Sequence, residues 1–326
     1  MKYQQETKKT SVNCTILPRS GPLGEERMII MSNKQTVFTG AGCAIVTPFT
    51  DNKVNYEQLG KLIERQIAGS TDAIVICGTT GEASTLTDEE HRECISYCVE
   101  KVAGRVPVIA GTGSNDTDYA IDLSKYACEV GADALLLVTP YYNKATPKGL
   151  IKSFLAVADA TDKPIILYNV PGRTGMGISL PVYKELAKHE RIVATKEASG
   201  NLSAIAEIAA ELGDDLDIYS GNDDQIVPIL SLGGKGVISV LSNVVPKETH
   251  DICSLWFEGK VKESAKLQLD LLKLANTLFC EVNPVPAKTA MALMGFCSEE
   301  MRLPLCEMED ANKAKLTAVM KEYGII

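Results

Sequence analysis

The sequence predicts an α/β fold, a (β/α)8 TIM barrel with a C-terminal helical extension, and three observations predict it. Eight short apolar runs rich in Val, Ile and Leu recur from Gly42 onward. They are continuous rather than alternating, as strands buried on both faces must be. Stretches of helical period separate them, so each strand is followed by a helix, the pattern of a closed parallel sheet. The rival doubly wound sheet lacks its signature. Gly40-Ala-Gly42 stops short of a Gly-x-Gly-x-x-Gly turn, and no Gly-x-x-x-x-Gly-Lys-Ser/Thr phosphate loop occurs.

The predicted strands are Cys43–Pro48, Ala73–Cys77, Val106–Ala110, Ala134–Val138, Pro164–Tyr168, Ile192–Thr195, Leu216–Tyr219 and Gly236–Val240. The first predicted helix, Asn55–Ala68, sets Leu59, Leu62, Ile63 and Ile67 on one face. The second, Thr87–Val102, opens on Thr87-Asp-Glu-Glu90, a capping-box pattern. Ile121–Val130, Lys148–Ala160, Leu180–His189, Leu202–Leu212, Gln225–Leu232 and Lys247–Phe257 continue the alternation. Beyond Gly259 the strands stop. Lys260–Val282 and Ala311–Glu322 are helical in period, and Pro284, Pro286 and Pro304 break the region between them.

The expected organisation is an N-terminal extension over 1–35, a catalytic barrel over 36–258 and a helical domain over 259–326. The extension lacks periodicity and a signal-peptide core, so it is set aside as disordered or non-native. Met28 and Met31 follow Gly24-Glu-Glu-Arg27, a run whose codons could be purine-rich. The hypothesis is that this run is a translated ribosome-binding site and that the natural start is Met28 or Met31. Peptide mapping that found a native N-terminus at Met1 would sink it.

Composition narrows the function. The 326 residues are 45% hydrophobic and 23% charged, ordinary for a globular protein. A formal net charge of -9 with no dense Lys/Arg run argues against a nucleic-acid surface. No apolar run approaches the roughly 18 residues of a membrane span. The ten cysteines are scattered, without a Cys-x-x-Cys pair, which fits reduced, mostly buried thiols in a cytoplasm. His91, Cys94 and Cys98 share a helix face but match no zinc spacing, so no metal site is expected. Three histidines in the whole chain leave proton transfer to other groups.

Barrel enzymes place their chemistry where strands end. The second strand runs into Gly78-Thr-Thr-Gly-Glu82, whose glycines let backbone N–H groups approach an anion. The fourth ends in Thr139-Pro-Tyr-Tyr-Asn143, the fifth in Tyr168-Asn-Val-Pro-Gly-Arg-Thr-Gly175, and the seventh in Ser220-Gly-Asn222. The sixth, Ile192-Val-Ala-Thr-Lys-Glu-Ala-Ser199, delivers a lone lysine. Taken alone, Lys196 reads as a strand-end lysine snorkelling to solvent or paired with Glu197. With Tyr, Tyr and Arg gathered at the neighbouring strand ends, it reads instead as an imine-forming amine. Burial disfavours its ammonium form, tyrosine hydroxyls shuttle protons, and a guanidinium grips a carboxylate bidentately.

At this point the sequence resembles the pyruvate-dependent class I aldolases of the dihydrodipicolinate synthase and N-acetylneuraminate lyase superfamily. The resemblance spans roughly 37–326 and is nearest the dihydrodipicolinate synthase branch. It is carried by Gly78-Thr-Thr-Gly-Glu82, Ala110-Gly-Thr-Gly113, Pro140-Tyr-Tyr-Asn143, Tyr168–Gly175, Lys196-Glu-Ala-Ser-Gly200 and Asn283-Pro-Val-Pro286. It implies a catalytic set of Lys196, Tyr168, Tyr142 and Thr79. Lys196 would form a Schiff base with pyruvate, and Tyr168 would relay protons through Thr79 to a Tyr142 contributed by a neighbouring subunit. Thr80 with Thr79 would hold the pyruvate carboxylate, while Ile238 and Gly221 would line the pocket. Arg173 would bind the carboxylate of L-aspartate-4-semialdehyde, and the Pro-x-Arg-Thr-Gly order at Pro171–Gly175 disfavours a sialic-acid lyase. The resemblance further implies a homotetramer, a dimer of dimers, with no metal or organic cofactor. The reaction would be the first committed step of lysine and diaminopimelate biosynthesis.

In some relatives free lysine binds near the dimer interface. Here the matching positions are Ala83, Ser84, Asp88, His91, Asn115, Tyr119 and Tyr141. Asp88 replaces a histidine and Tyr119 a glutamate, so lysine inhibition is expected to be weak or absent. Other readings are a further aldolase or lyase of the superfamily, of the N-acetylneuraminate or 2-keto-3-deoxy acid type, and a non-catalytic binding barrel. A sugar-phosphate isomerase or lyase would use Gly233-Gly-Lys-Gly236 as a phosphate loop. That run enters the last strand from the end opposite the strand termini, as a turn would.

Overall fold

Eight parallel strands close into a barrel in the computed structural model, which describes residues 34–326. The expectations for Met28, Met31, Cys14 and the rest of 1–33 lie outside the described residues. The strands are β1 (Gly40–Ala44), β2 (Ala73–Ile76), β3 (Val108–Gly111), β4 (Ala134–Val138), β5 (Ile165–Asn169), β6 (Ile192–Glu197), β7 (Asp217–Ser220) and β8 (Gly236–Ser239). They pair in sequence order, and β8 returns to pair with β1.

The first strand begins earlier than its apolar run predicts because glycines form it. A Cβ on Gly236 would stand 1.8 Å from the Gly40 carbonyl oxygen, so the β1–β8 seam closes only without side chains there. Gly233, with positive φ, belongs to the turn that leads into β8 at the strand N-termini, far along the chain from the loops that carry tyrosine and arginine. At that same end Phe38 stacks on Tyr219, with ring centroids 4.3 Å apart. The Tyr219 hydroxyl donates to the Phe38 carbonyl at 2.5 Å. The barrel interior above this plug is filled by Val75, Ile109, Leu136, Ile166, Val193 and Ile238.

Around the strands run α1 (Tyr56–Ala68), α2 (Asp88–Val102), α3 (Thr117–Glu129), α4 (Pro147–Ala160), α5 (Leu180–Leu186), α6 (Leu202–Leu212), α7 (Ile226–Ser231) and α8 (Pro246–Phe257). Their apolar stripes meet the outward strand faces in a second core, to which α2 contributes Cys94, Ile95 and Cys98. The capping box of α2 is formed: Thr87 Oγ1 accepts from Glu90 N, and Glu90 Oε2 accepts from Thr87 N. Asn55, Asp116, Thr146 and Asn201 cap α1, α3, α4 and α6 by the side chain alone, each accepting from a first-turn backbone amide.

The tail contains α9 (Val261–Thr277), α10 (Val285–Leu293) and α11 (Asp310–Glu322). Helix α10 lies where prolines predicted only a break. Pro284 is its N-cap and Pro286 sits in its first turn, where a missing N–H costs nothing. A hairpin of Phe49–Thr50 with Lys53–Val54 is likewise additional, turned by Asp51 and Asn52 at positive φ. Among the described residues, no helix is long and apolar enough to cross a membrane. The nine described cysteines are all free thiols.

Candidate active site

The strand C-termini bring Lys196 and Tyr168 together. In the β5–β6 ladder the two residues are direct partners, and Lys196 Nζ lies 4.3 Å from the Tyr168 ring centroid. Both are buried, at 5% and 6% exposure. Their pairing depends on an irregularity. Ile165 pairs with Ile192 but Ile166 pairs with Ala194, so Val193 is an extra residue in β6. Without that bulge Lys196 would stand opposite Asn169 rather than Tyr168.

One residue further along, the partners Asn169 and Glu197 lock the same two strand ends. Asn169 Nδ2 donates to Glu197 Oε1 at 2.9 Å and to Oε2 at 3.1 Å. Tyr183 of α5 donates to Oε1 at 2.5 Å, and Ser199 donates to Oε2 at 2.9 Å. Burial raises the Glu197 pKa, and these donors oppose the rise. Glu197 therefore does not pair with Lys196. Its carbonyl also accepts from Gly221 N at 2.7 Å, and a Cβ on Gly221 would meet Ala198 Cβ at 2.6 Å. Gly221 is glycine because the loops after β6 and β7 touch there.

The hydroxyl-rich turn after β2 is held at nearly every residue. Thr47 donates to the Gly81 carbonyl at 2.7 Å. Thr80 Oγ1 accepts from Asn283 Nδ2 at 3.0 Å, and Glu82, with left-handed backbone, forms a buried ion pair with Lys288 of α10 at 2.6 Å. Arg173 sits at the rim in a short helical turn, Pro171–Thr174, and donates to the Asn283 carbonyl at 2.8 Å. The tail segment at Asn283 thus touches both the Thr80 turn and Arg173. Asn283 and Glu82 stand within the sequence motifs without an assigned role, and nothing in the sequence around Lys288 marks it.

A cavity of about 400 Å³ opens here, lined by Thr79, Tyr168, Val170, Arg173 and Thr174 at one end. The wall continues past Cys77 to Ala83, Ser84, His91, Tyr119 and Tyr141. Five of the seven expected effector positions therefore share one cavity with Thr79, Tyr168 and Arg173. Lys196, Thr80, Ile238, Gly221, Asp88 and Asn115 are not on its wall. Ile238 is buried in the barrel interior, and the Asn115 carbonyl accepts from Asn143 Nδ2 at 2.9 Å. Tyr142 is apart from the cluster, 93% exposed with φ of 68°. A tyrosine in that conformation is uncommon.

Around Asp88, charges are already matched. Asp88 pairs with Arg92 at 2.8 Å, and Arg92 also pairs with Asp122 at 2.5 Å. The Arg92 guanidinium, aided by the Tyr119 hydroxyl, holds the Asp88 carboxyl below its usual range. Burial, then the Asp88 carboxylate, pushes the Tyr119 phenol up to about 12. His91 donates Nε2–H to the Gly111 carbonyl at 2.8 Å, and burial lowers its pKa. Among the described residues, no three His, Cys, Asp or Glu side chains converge as metal ligands.

A family model described as "Dihydrodipicolinate synthetase family" matches residues 37–323. A protein of Acetivibrio thermocellus named 4-hydroxy-tetrahydrodipicolinate synthase is 56% identical over 293 residues, covering 90% of this chain and 100% of its own length. The crystal structure of dihydrodipicolinate synthase from Aquifex aeolicus superposes with a TM-score of 0.87 at 46% identity, covering 88% of this chain and 99% of that one. The chloride-inhibited dihydrodipicolinate synthase from Acinetobacter baumannii, solved in complex with pyruvate, superposes with a TM-score of 0.87 at 41% identity. The match covers 89% of this chain and 100% of that chain.

Proposed function

The chain belongs to the dihydrodipicolinate synthetase family, and we propose that it acts as a 4-hydroxy-tetrahydrodipicolinate synthase, joining pyruvate to L-aspartate-4-semialdehyde through a Schiff base on Lys196. The observation that carries the reading is the buried Lys196–Tyr168 pair beside a cavity that also presents Thr79 and Arg173.

The Lys196 amine attacks the keto carbon of pyruvate. The keto oxygen leaves as water, and one proton taken up leaves a cationic iminium. Loss of a methyl proton gives the enamine, whose carbon attacks the aldehyde of the second substrate. That substrate's own amine then displaces Lys196 and closes the ring. The iminium is itself the electron sink, so the chemistry calls for no metal or organic cofactor. Tyr168, whose ring lies against the nitrogen, carries the protons, with Thr79 linking it toward a Tyr142 from a neighbouring copy. Thr79 and Thr80 hold the pyruvate carboxylate over the Gly78–Gly81 turn, and Ile238 and Gly221 bound the pocket. Arg173 at the rim grips the semialdehyde carboxylate.

The exposure of Tyr142 supports a homo-oligomer, a dimer of dimers, in which each site is completed across an interface. Free, mostly buried thiols support a cytoplasmic setting. The residues Ala83, Ser84, Asp88, His91, Asn115 and Tyr141 form an effector end with weak response to lysine.

The test is borohydride reduction with pyruvate, followed by intact-mass and peptide mass spectrometry. The expected result is a pyruvyl adduct on Lys196 that is absent from Lys196→Ala. A folded protein that takes no adduct overturns the reading. Product formation from the semialdehyde then identifies the second substrate.

A further inference from the structure

Among the described residues, the buried acids and lysines are three carboxylates, Glu82, Glu197 and Asp223, and two amines, Lys196 and Lys288. Their partners can be assigned one by one. Glu82 and Lys288 pair with each other at 2.6 Å. Glu197 is satisfied by neutral donors on Asn169, Tyr183 and Ser199. That leaves Asp223 and Lys196.

Asp223 lies just past the end of β7, the strand whose Tyr219 pairs with Lys196. It is 4% exposed. Its Oδ2 accepts from Val240 N at 3.0 Å and from Leu241 N at 2.9 Å. Its Oδ1, also buried, has no partner at hydrogen-bond geometry. Burial pushes this carboxyl up, while Ser239, the two backbone amides and the Lys196 charge pull it back. Lys196, for its part, forms no ion pair among the described residues and rests against the Tyr168 ring.

An acid buried with one orphaned oxygen is a standing cost to folding unless a cation offsets it. Among the described residues Lys196 is the buried amine left to supply that cation, and the protonated imine formed with pyruvate carries a positive charge until a methyl proton leaves. We propose that Asp223 is the counter-carboxylate of the iminium on Lys196, a positioning residue that also fixes the end of β8 next to Ile238. The inference rests on the Schiff-base reading above.

Asp223→Asn separates the two roles. The amide oxygen still accepts from Val240 and Leu241, while the charge is gone. The expected result is that the pyruvate concentration giving half-maximal borohydride trapping rises about ten- to a hundredfold. Tm should stay nearly equal, since the lost attraction to Lys196 and the relieved desolvation of a buried carboxylate offset each other. A carboxylate kept only for structure would give the opposite pattern, a lower Tm with unchanged trapping. A double-mutant cycle gives a second readout. Lys196→Met should lower Tm by leaving Asp223 alone, and adding Asp223→Asn should restore it. An Asp223→Asn protein that loads at wild-type concentrations, or that fails to fold, overturns the proposal, as does a cycle without coupling. Absence of trapping in the wild type would instead sink the Schiff-base reading itself.

Discussion

Lys196 and Tyr168 face each other because β6 carries one residue more than β5. The bulge at Val193 moves Lys196 into register with Tyr168 and sets Glu197 against Asn169. The pair is thus fixed by backbone pairing on one side and by the Asn169–Glu197–Tyr183 hydrogen bonds on the other. Tyr168→Phe keeps the ring under Nζ and removes only the hydroxyl. Turnover should fall about 10²- to 10⁴-fold, while pyruvate can still be trapped on Lys196 after long incubation. Single-turnover kinetics with borohydride quenching checks this. A Tyr168→Phe enzyme with wild-type turnover would remove the hydroxyl from the mechanism.

Tyr142 stands on the surface in a left-handed conformation, away from its own chain's cavity. If each site borrows the hydroxyl from a neighbour, two defective chains can repair one another. Lys196→Ala and Tyr142→Phe proteins should each be nearly inactive alone. Mixing them under conditions of subunit exchange should restore activity, since the hybrid contains one site with both groups. No recovery, with hybrids demonstrated by native mass spectrometry, would place Tyr142 outside catalysis.

Much of this was legible in the sequence, and the reasons are local. Continuous apolar runs marked the eight strands because both faces of each are buried, and Lys196 stood out because it ends one of them. The bulge at Val193 was not legible, since an extra residue in a uniformly apolar strand leaves no mark on periodicity. Helix α10 was hidden by prolines that serve as its start. Asp223 and Lys288 were hidden for another reason. Their meaning lies in partners reached through the fold, as with Lys288 and Glu82, 206 positions apart.

Acid should loosen the link between the tail and α2. Arg302 donates to both oxygens of Glu90, at 2.5 and 2.6 Å, and holds its pKa below the ordinary 4.5. The unfolded chain then binds the proton more readily. The pair's contribution is present above the unfolded pKa and is lost as pH falls through the folded one. Comparing Tm of the wild type and Arg302→Met from about pH 7 to about pH 3 should show the gap narrowing on acidification. A residual gap should persist, because Arg302 also donates to the Asn52 and Thr85 carbonyls. A gap that widened in acid would contradict the assignment.

Free lysine should inhibit weakly. A bound amino acid needs a free carboxylate for its ammonium, and Asp88 is already engaged by Arg92 and by the Tyr119 hydroxyl. Tyr119 itself carries no charge at neutral pH. Initial rates with increasing lysine should show no inhibition in the micromolar range. Half-inhibition there would mean that the Asp88–Arg92 pair opens to admit the ligand.

The tail should matter to pyruvate binding through one buried contact. Lys288 and Glu82 are fully enclosed, and the Lys288 ammonium lies 4.0 Å from the Phe49 ring centroid, with Arg302 4.4 Å from the same ring. Burial lowers the Lys288 pKa, and the Glu82 carboxylate opposes that shift. Glu82 closes the turn that begins at Gly78, so its position sets the turn carrying Thr79 and Thr80. Lys288→Met strands a buried carboxylate and should cost about 3–5 kcal/mol in urea unfolding. Adding Glu82→Gln removes the stranded charge and should recover most of that stability. It should not recover the turn geometry, which depends on a fixed partner for Glu82. The double variant is therefore expected to fold well, with a raised KM for pyruvate and kcat changed much less. A stable double variant with wild-type KM would reduce the pair to a structural tie between α10 and the barrel.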